Sequence, residues 1–191
     1  VMKEHKFDLD GVFGASWSPN GKAIAFIGNI EGGSDIYLFD VESKQIKKIT
    51  NDVFSDIDPS WSPDGSKLVF ASDRNAHLND HLQAENFKMQ QFKSFQFDLY
   101  ELNLASGEIN RLTETPEADE RSPAYSPDGK TLAFVSDRTG ISNIYFKKGN
   151  APEYAGTDML TGAYQLDWSK DCKQMAFTSF WKSGGDVYVI K

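Results

Sequence analysis

The sequence predicts an all-β protein, a β-propeller built of four-stranded antiparallel blades. Three observations carry that expectation. A tight-turn quartet occurs four times, an apolar run follows every copy, and a triplet ending in Tyr follows every run. The quartets are SPNG at 18–21, SPDG at 62–65 and again at 126–129, and a divergent SKDC at 169–172. Each stands directly after an aromatic residue, Trp17, Trp61, Tyr125 or Trp168, at spacings of 44, 64 and 43 residues.

The elements of one repeat follow in order. A first strand ends at the aromatic residue. In the turn, Pro presets φ, Asp64 or Asp128 can bond its own backbone, and Gly65 or Gly129 supplies the positive φ that closes a hairpin. Cys172 takes the place of that glycine in the fourth copy, so a strained or reshaped corner is expected there. The second strand is the apolar run: AIAFIGN, KLVFASD, TLAFVSD and QMAFTSF. Short runs rich in Val, Ile and Phe between Gly, Asn and Asp are strand signals. The third strand surrounds Asp35-Ile36-Tyr37, Asp98-Leu99-Tyr100, Asn143-Ile144-Tyr145 and Asp186-Val187-Tyr188. From the Phe of the run to that triplet takes 9 residues in three copies and 28 in the second. One insertion of 19 residues between Arg74 and Phe97 restores a period of about 45. The fourth strand is read from IKKIT at 46–50, INRLT at 109–113 and DMLT at 158–161.

The blades are thus expected at about 15–50, 59–113 with the insertion at about 75–96, 123–161 and 165–191, all in a single segment spanning 1–191. Residues 1–10 match the end of a preceding fourth strand, because Lys6 stands 11 residues before Trp17 as Thr50 does before Trp61. Two readings follow: the stub closes a four-bladed ring, or the four repeats belong to a larger propeller whose preceding blade ends at the stub. A lone blade cannot bury both its faces, so neighbours must stack.

Two stretches carry a family resemblance. PSWSPDGSKLVFASDR with FDLYELNLASGEINRLT, within 59–113, resembles the TolB-like propeller repeat, a WD-like unit, and so does PAYSPDGKTLAFVSDRTGISNIYF at 123–146. The resemblance implies a larger propeller of six or more blades, and structural roles for the repeated residues named above and for Tyr37, Tyr100, Tyr145 and Tyr188. The Ser-Asp-Arg after the second strand is intact around Asp73 and Asp137; it reads Gly28-Asn29-Ile30 in the first copy and Ser179-Phe180-Trp181 in the fourth. An Asp there is expected to accept from backbone and lock neighbouring blades.

Composition narrows function. The net charge of −8 repels a phosphate backbone, and no apolar run reaches the length of a membrane span. Nucleic acid and membrane insertion are not expected. One cysteine allows no internal disulfide and fits either a reducing cytoplasm or a periplasm. There is no G-x-S-x-G elbow, and three His with one Cys are too scattered for a nucleophile–base arrangement. No catalytic residue, cofactor or metal is expected. His77 and His81, four apart, invite a zinc site, but a zincin pattern would need Glu where Leu78 stands.

In a propeller, the links from fourth to first strand and from second to third strand emerge on one face. They carry Asp52, Asp56, Asp58, Glu117, Asp119 and Glu120, an expected acidic rim for a basic partner. The insertion adds Phe87, Phe92 and Phe95, interleaved with Lys88 and Lys93. The resemblance implies a non-catalytic scaffold of a bacterial cell envelope or periplasm, continuous with further blades or domains, that binds a protein or peptide on this face. The alternative is a propeller segment that gates or scaffolds a peptidase-like catalytic domain elsewhere.

Overall fold

The computed structural model describes residues 8–30, 33–75, 77–78, 96–182 and 184–191. They form four antiparallel sheets, the blades of a β-propeller. Blade one contains β1 (Gly11–Trp17), β2 (Ala23–Ile30), β3 (Gly33–Asp40) and β4 (Ile46–Lys48). Blade two contains β5 (Asp56–Trp61), β6 (Lys67–Ser72), β7 (Asp98–Asn103) and β8 (Ile109–Arg111). Blade three contains β9 (Glu120–Tyr125), β10 (Leu132–Ser136), β11 (Asn143–Lys147) and β12 (Tyr154–Ala155). Blade four contains β13 (Tyr164–Trp168), β14 (Met175–Trp181) and β15 (Gly184–Ile190). Each sheet pairs its strands in chain order.

The turn quartet builds the same corner four times. The N–H of Gly21, Gly65, Gly129 or Cys172 donates to the carbonyl of the quartet's Ser, at 2.8–2.9 Å. That Ser also donates its hydroxyl to Asn20, Asp64, Asp128 or Asp171, and accepts the N–H of the residue five on. Hydroxyl and amide donors from Ser62 and Ser66 hold the Asp64 carboxyl down at about 2. Cys172 keeps the shape of the corner at φ 60°, so its departure from glycine is borne as backbone strain and not as a different turn.

The Tyr triplet has a packing cause. Phe26–Tyr37, Phe70–Tyr100, Phe134–Tyr145 and Phe177–Tyr188 are cross-strand neighbours whose ring centroids lie 5.6–6.1 Å apart. Such aromatic pairs stabilise a sheet beyond the area they bury.

Blades stack through their first strands: β5 lies against β1, β9 against β5, and β13 against β9. Trp61 packs with Ala25, Ile27 and Ile36 of blade one and donates its indole N–H to Ser16 O at 3.1 Å. Trp168 does the same to Ala124 O at 3.1 Å, whereas Tyr125 donates to the Glu101 carboxylate at 2.6 Å. Among the described residues Trp17 has no such neighbour, and it is 60% exposed. Among the described residues no strand of blade four touches blade one. The expected pairing of the 1–7 stub lies outside the described residues.

Two features differ from the sequence reading. The first strands start earlier than expected, because each carries a β-bulge whose residue three before the aromatic has positive φ: Gly14, Asp58, Ser122 and Gln165. The fourth strand of blade three is Tyr154–Ala155 rather than DMLT, and Thr157 takes the expected role of Thr161. Gly156 replaces the usual aliphatic residue because a methyl there would overlap the Phe146 ring.

Candidate functional site

The face bearing the links that lead into β5 and β9 is organised by two arginines. Arg74, just past β6, is 1% exposed, and its guanidinium reaches Asp56 at 2.7 Å, Asp52 at 3.3 Å and the Ser72 hydroxyl at 3.1 Å. The rings of Phe54, Phe70 and Tyr100 surround it at 5.3–5.7 Å. Blade three repeats the device: Arg138 reaches Glu120 at 2.6 Å and Ser136 at 3.0 Å, and lies 4.2 Å from the Tyr145 centroid. A buried guanidinium requires such partners, because an unpaired charge in that interior is prohibitively costly.

This overturns most of the expected acidic rim. Asp56 and Glu120 are fully buried counter-ions at the starts of β5 and β9, out of a partner's reach. Asp52 shares Arg74 with Asp56, and burial pushes its carboxyl up to about 6 despite the cation, since the closer Asp56 already neutralises it. Asp58 sits in the β5 bulge and accepts the Ser122 N–H of the next blade at 3.0 Å. Asp119 accepts the Phe97 N–H at 3.0 Å and pairs with Arg121 at 3.0 Å, remaining partly exposed. Of the six, only Glu117 stands exposed. Charge on a loop says nothing of burial; the missed signal is the constant separation of 18 residues between Asp56 and Arg74 and between Glu120 and Arg138.

The Ser-Asp-Arg aspartates behave as backbone acceptors, but within their own blade. Asp73 accepts from Ser55 N at 2.8 Å, and Asp137 from Asp119 N at 2.7 Å. Each thus fixes the link that enters its blade rather than clamping two sheets together.

The insertion leaves and re-enters this face at fixed anchors. Tyr100 donates its hydroxyl to Asn75 O at 2.8 Å, and Gln96 donates its amide to Thr115 O at 2.5 Å. His77 stacks on Phe54 at 5.5 Å. His81, Phe87, Phe92 and Phe95 lie outside the described residues. Leu78 helps line a cleft of about 260 Å³ between the outer strands of blades one and two, with Ile49, Leu102 and Ile109.

Comparison with known proteins places the chain among propellers. The TolB beta propeller domain family matches residues 3–79. The Tol-Pal system protein TolB of Francisella tularensis subsp. holarctica is 27% identical over 166 residues, which cover 85% of this chain and 34% of that protein. An uncharacterized peptidase of Bacillus subtilis, YuxL, is 30% identical over 141 residues, covering 64% of this chain and 21% of the relative. The chain therefore spans about a third or less of these curated relatives. TolB from Acinetobacter baumannii superposes with a TM-score of 0.72 at 24% identity, over 94% of this chain and 41% of that one. A puromycin hydrolase superposes with a TM-score of 0.66 at 14% identity, over 90% of this chain and 25% of that one. At these identities both structures show the fold alone.

Proposed function

Because this chain is built from TolB-like propeller repeats, we propose that it is a non-catalytic interaction scaffold of a bacterial cell envelope, part of a longer propeller protein. Its partner is a protein or peptide, bound on the face that carries the links into β5 and β9. The observation that carries this reading is the insertion, which departs from and returns to that face between the anchored Asn75 and Gln96. Phe87, Phe92 and Phe95 of the insertion, with Glu117 and Asp119 beside it, form the contact set. The ion pairs of Arg74 and Arg138 hold the described part of this face in place, so binding there costs little ordering of the blades themselves.

A photo-crosslinking residue at Phe92 or Glu117, compared with one at Lys173 on the opposite face, tests this in envelope extracts. Adducts from the first two positions and none from the third are expected. Equal labelling at all three would refute a face-specific partner. The 30% identity to a peptidase supports a second reading, a segment that scaffolds a catalytic domain of the same protein. In that case the adducts form within one polypeptide.

A further inference from the structure

Four positions recur at the outer end of each interface between blades. One blade supplies the residue five after the quartet's Ser and the residue after the triplet's Tyr. The next blade supplies the aromatic before its quartet and the residue two after its triplet's Tyr. Between blades one and two these are Ala23, Leu38, Trp61 and Leu102, packed in one apolar cluster. Between blades three and four Phe146, Trp168 and Ile190 pack together, with Thr131 beside them. Between blades two and three the same positions hold Lys67, Glu101, Tyr125 and Lys147. Three of the four have become charged, and the indole has become a smaller phenol.

A cleft of about 680 Å³ lies there, walled by residues of blades two and three. Leu112, Leu132 and the Tyr125 ring give it an apolar side. Lys67, Arg111, Lys130 and Lys147 also line it, against the single carboxylate of Glu101. Both oxygens of that carboxylate are taken: one accepts from Lys67 Nζ and the other from the Tyr125 hydroxyl, each at 2.6 Å. Burial, with Glu101 alongside, pushes the Tyr125 hydroxyl well above its ordinary value, so it stays a donor. The remaining carboxylates that pair with these cations lie outside the lining: Asp98 and Glu114 with Arg111, Asp128 with Lys130, and Glu153 with Lys147. An ammonium carries three donors, and each of these lysines meets one carboxylate. Apart from the Asn150 amide, the side-chain groups left free in the cleft are therefore donors, in a chain whose net charge is −8.

We propose that the cleft between blades two and three binds a small phosphate monoester with an apolar body. The apolar part lies against Leu112, Leu132 and the Tyr125 ring, and the phosphate oxygens accept from the lysines. A doubly charged head group suits several converging cations better than a single carboxylate does. The cleft opens beside the quartet turn at Gly129 and the β11–β12 link at Gly149, away from the loop face. This reading and the proposed partner surface therefore stand or fall independently.

The probe is phenyl phosphate, titrated against the intact chain by calorimetry and by amide NMR shifts. A single saturable site that moves the Leu112 and Leu132 amides is expected. Lys147→Leu installs the residue type that Leu102 supplies at the first interface, and leaves Glu153 its second partner, Arg138. It should weaken binding roughly fivefold. Lys130→Glu, at a side chain 81% exposed, should weaken it at least as much without disturbing the fold. Benzoate should bind more weakly and benzylamine not at all. Absence of a saturable site, shifts confined to other blades, or affinity unchanged in both variants overturns the proposal. Benzoate binding as tightly as phenyl phosphate overturns the phosphate head group. Inorganic phosphate binding as tightly would mean an adventitious ion only, and overturns the apolar contact.

Discussion

Blades two and three differ from blades one and four in how the loop face is held. In the inner pair an arginine, buried in blade two and half-buried in blade three, bridges the start of the first strand to the end of the second, within an aromatic setting. In the outer pair the corresponding residues are Val12 with Ile30, and Ala163 with Trp181. Both outer pairs leave apolar surface open: Val12, Ile30 and Trp181 are 51%, 42% and 57% exposed. The same repeat thus tolerates either an ionic or an apolar corner. Among the described residues the ionic version stands in the two blades packed against a neighbour on each side, where excluded water cannot screen the pair.

The sharpest way to break this contrast is to remove the buried cation. Arg74→Ala should cost about 3–5 kcal/mol in denaturant unfolding, leaving Asp56 buried and uncompensated. Arg138→Ala should cost less, about 2 kcal/mol, because its side chain is 21% exposed and solvent screens part of the pairing. Lys48→Ala in blade one, where the ammonium is 33% exposed, should cost about 1 kcal/mol or less. Equal losses at all three sites would erase the distinction.

The stacking contacts offer a smaller test. Trp61→Phe removes the hydrogen bond to Ser16 O and should cost about 1 kcal/mol. Trp17→Phe should stay within about 0.5 kcal/mol, since its indole meets no neighbouring blade among the described residues. Cys172→Gly should stabilise blade four by roughly 0.5–1 kcal/mol, relieving the left-handed backbone that the other corners give to glycine.

Acidity discriminates in the same place. The Asp52 carboxyl holds its proton more tightly in the folded chain than in the unfolded one. Its stabilising share is therefore complete below the ordinary value of 3.8 and is lost as pH rises through about 6. Thermal melts across that window should fall with pH more steeply for the original chain than for Asp52→Asn. Parallel curves would mean that Asp52 is ionised throughout.

Much of this architecture was legible because turns and aromatic pairs are local. The turn quartet closes on itself, and three of the four Phe–Tyr pairs lie 11 residues apart along the chain; all four blades follow them. The strand-A bulges were not legible: Gly14 hints at a left-handed residue, but Asp58, Ser122 and Gln165 reach the same φ without announcing it. Thr161 drew the fourth strand of blade three to the wrong place because Met-Leu-Thr looks like Arg-Leu-Thr, whereas close packing of Phe146 had put Gly156 before the true Thr157. The acidic rim misled for a deeper reason. Composition reports charge, while burial depends on an arginine 18 residues away that only the folded hairpin brings back.

The central claim is that the charges of this face belong to the architecture of blades two and three and hold them more firmly than the outer blades. Native-state hydrogen exchange resolved by strand tests it most directly. Amides of β6 and β10 should exchange last, at least about tenfold slower than those of β1 and β15. Exchange as slow in β15 as in β6 would contradict it, and would return the buried carboxylates to the search for a binding site.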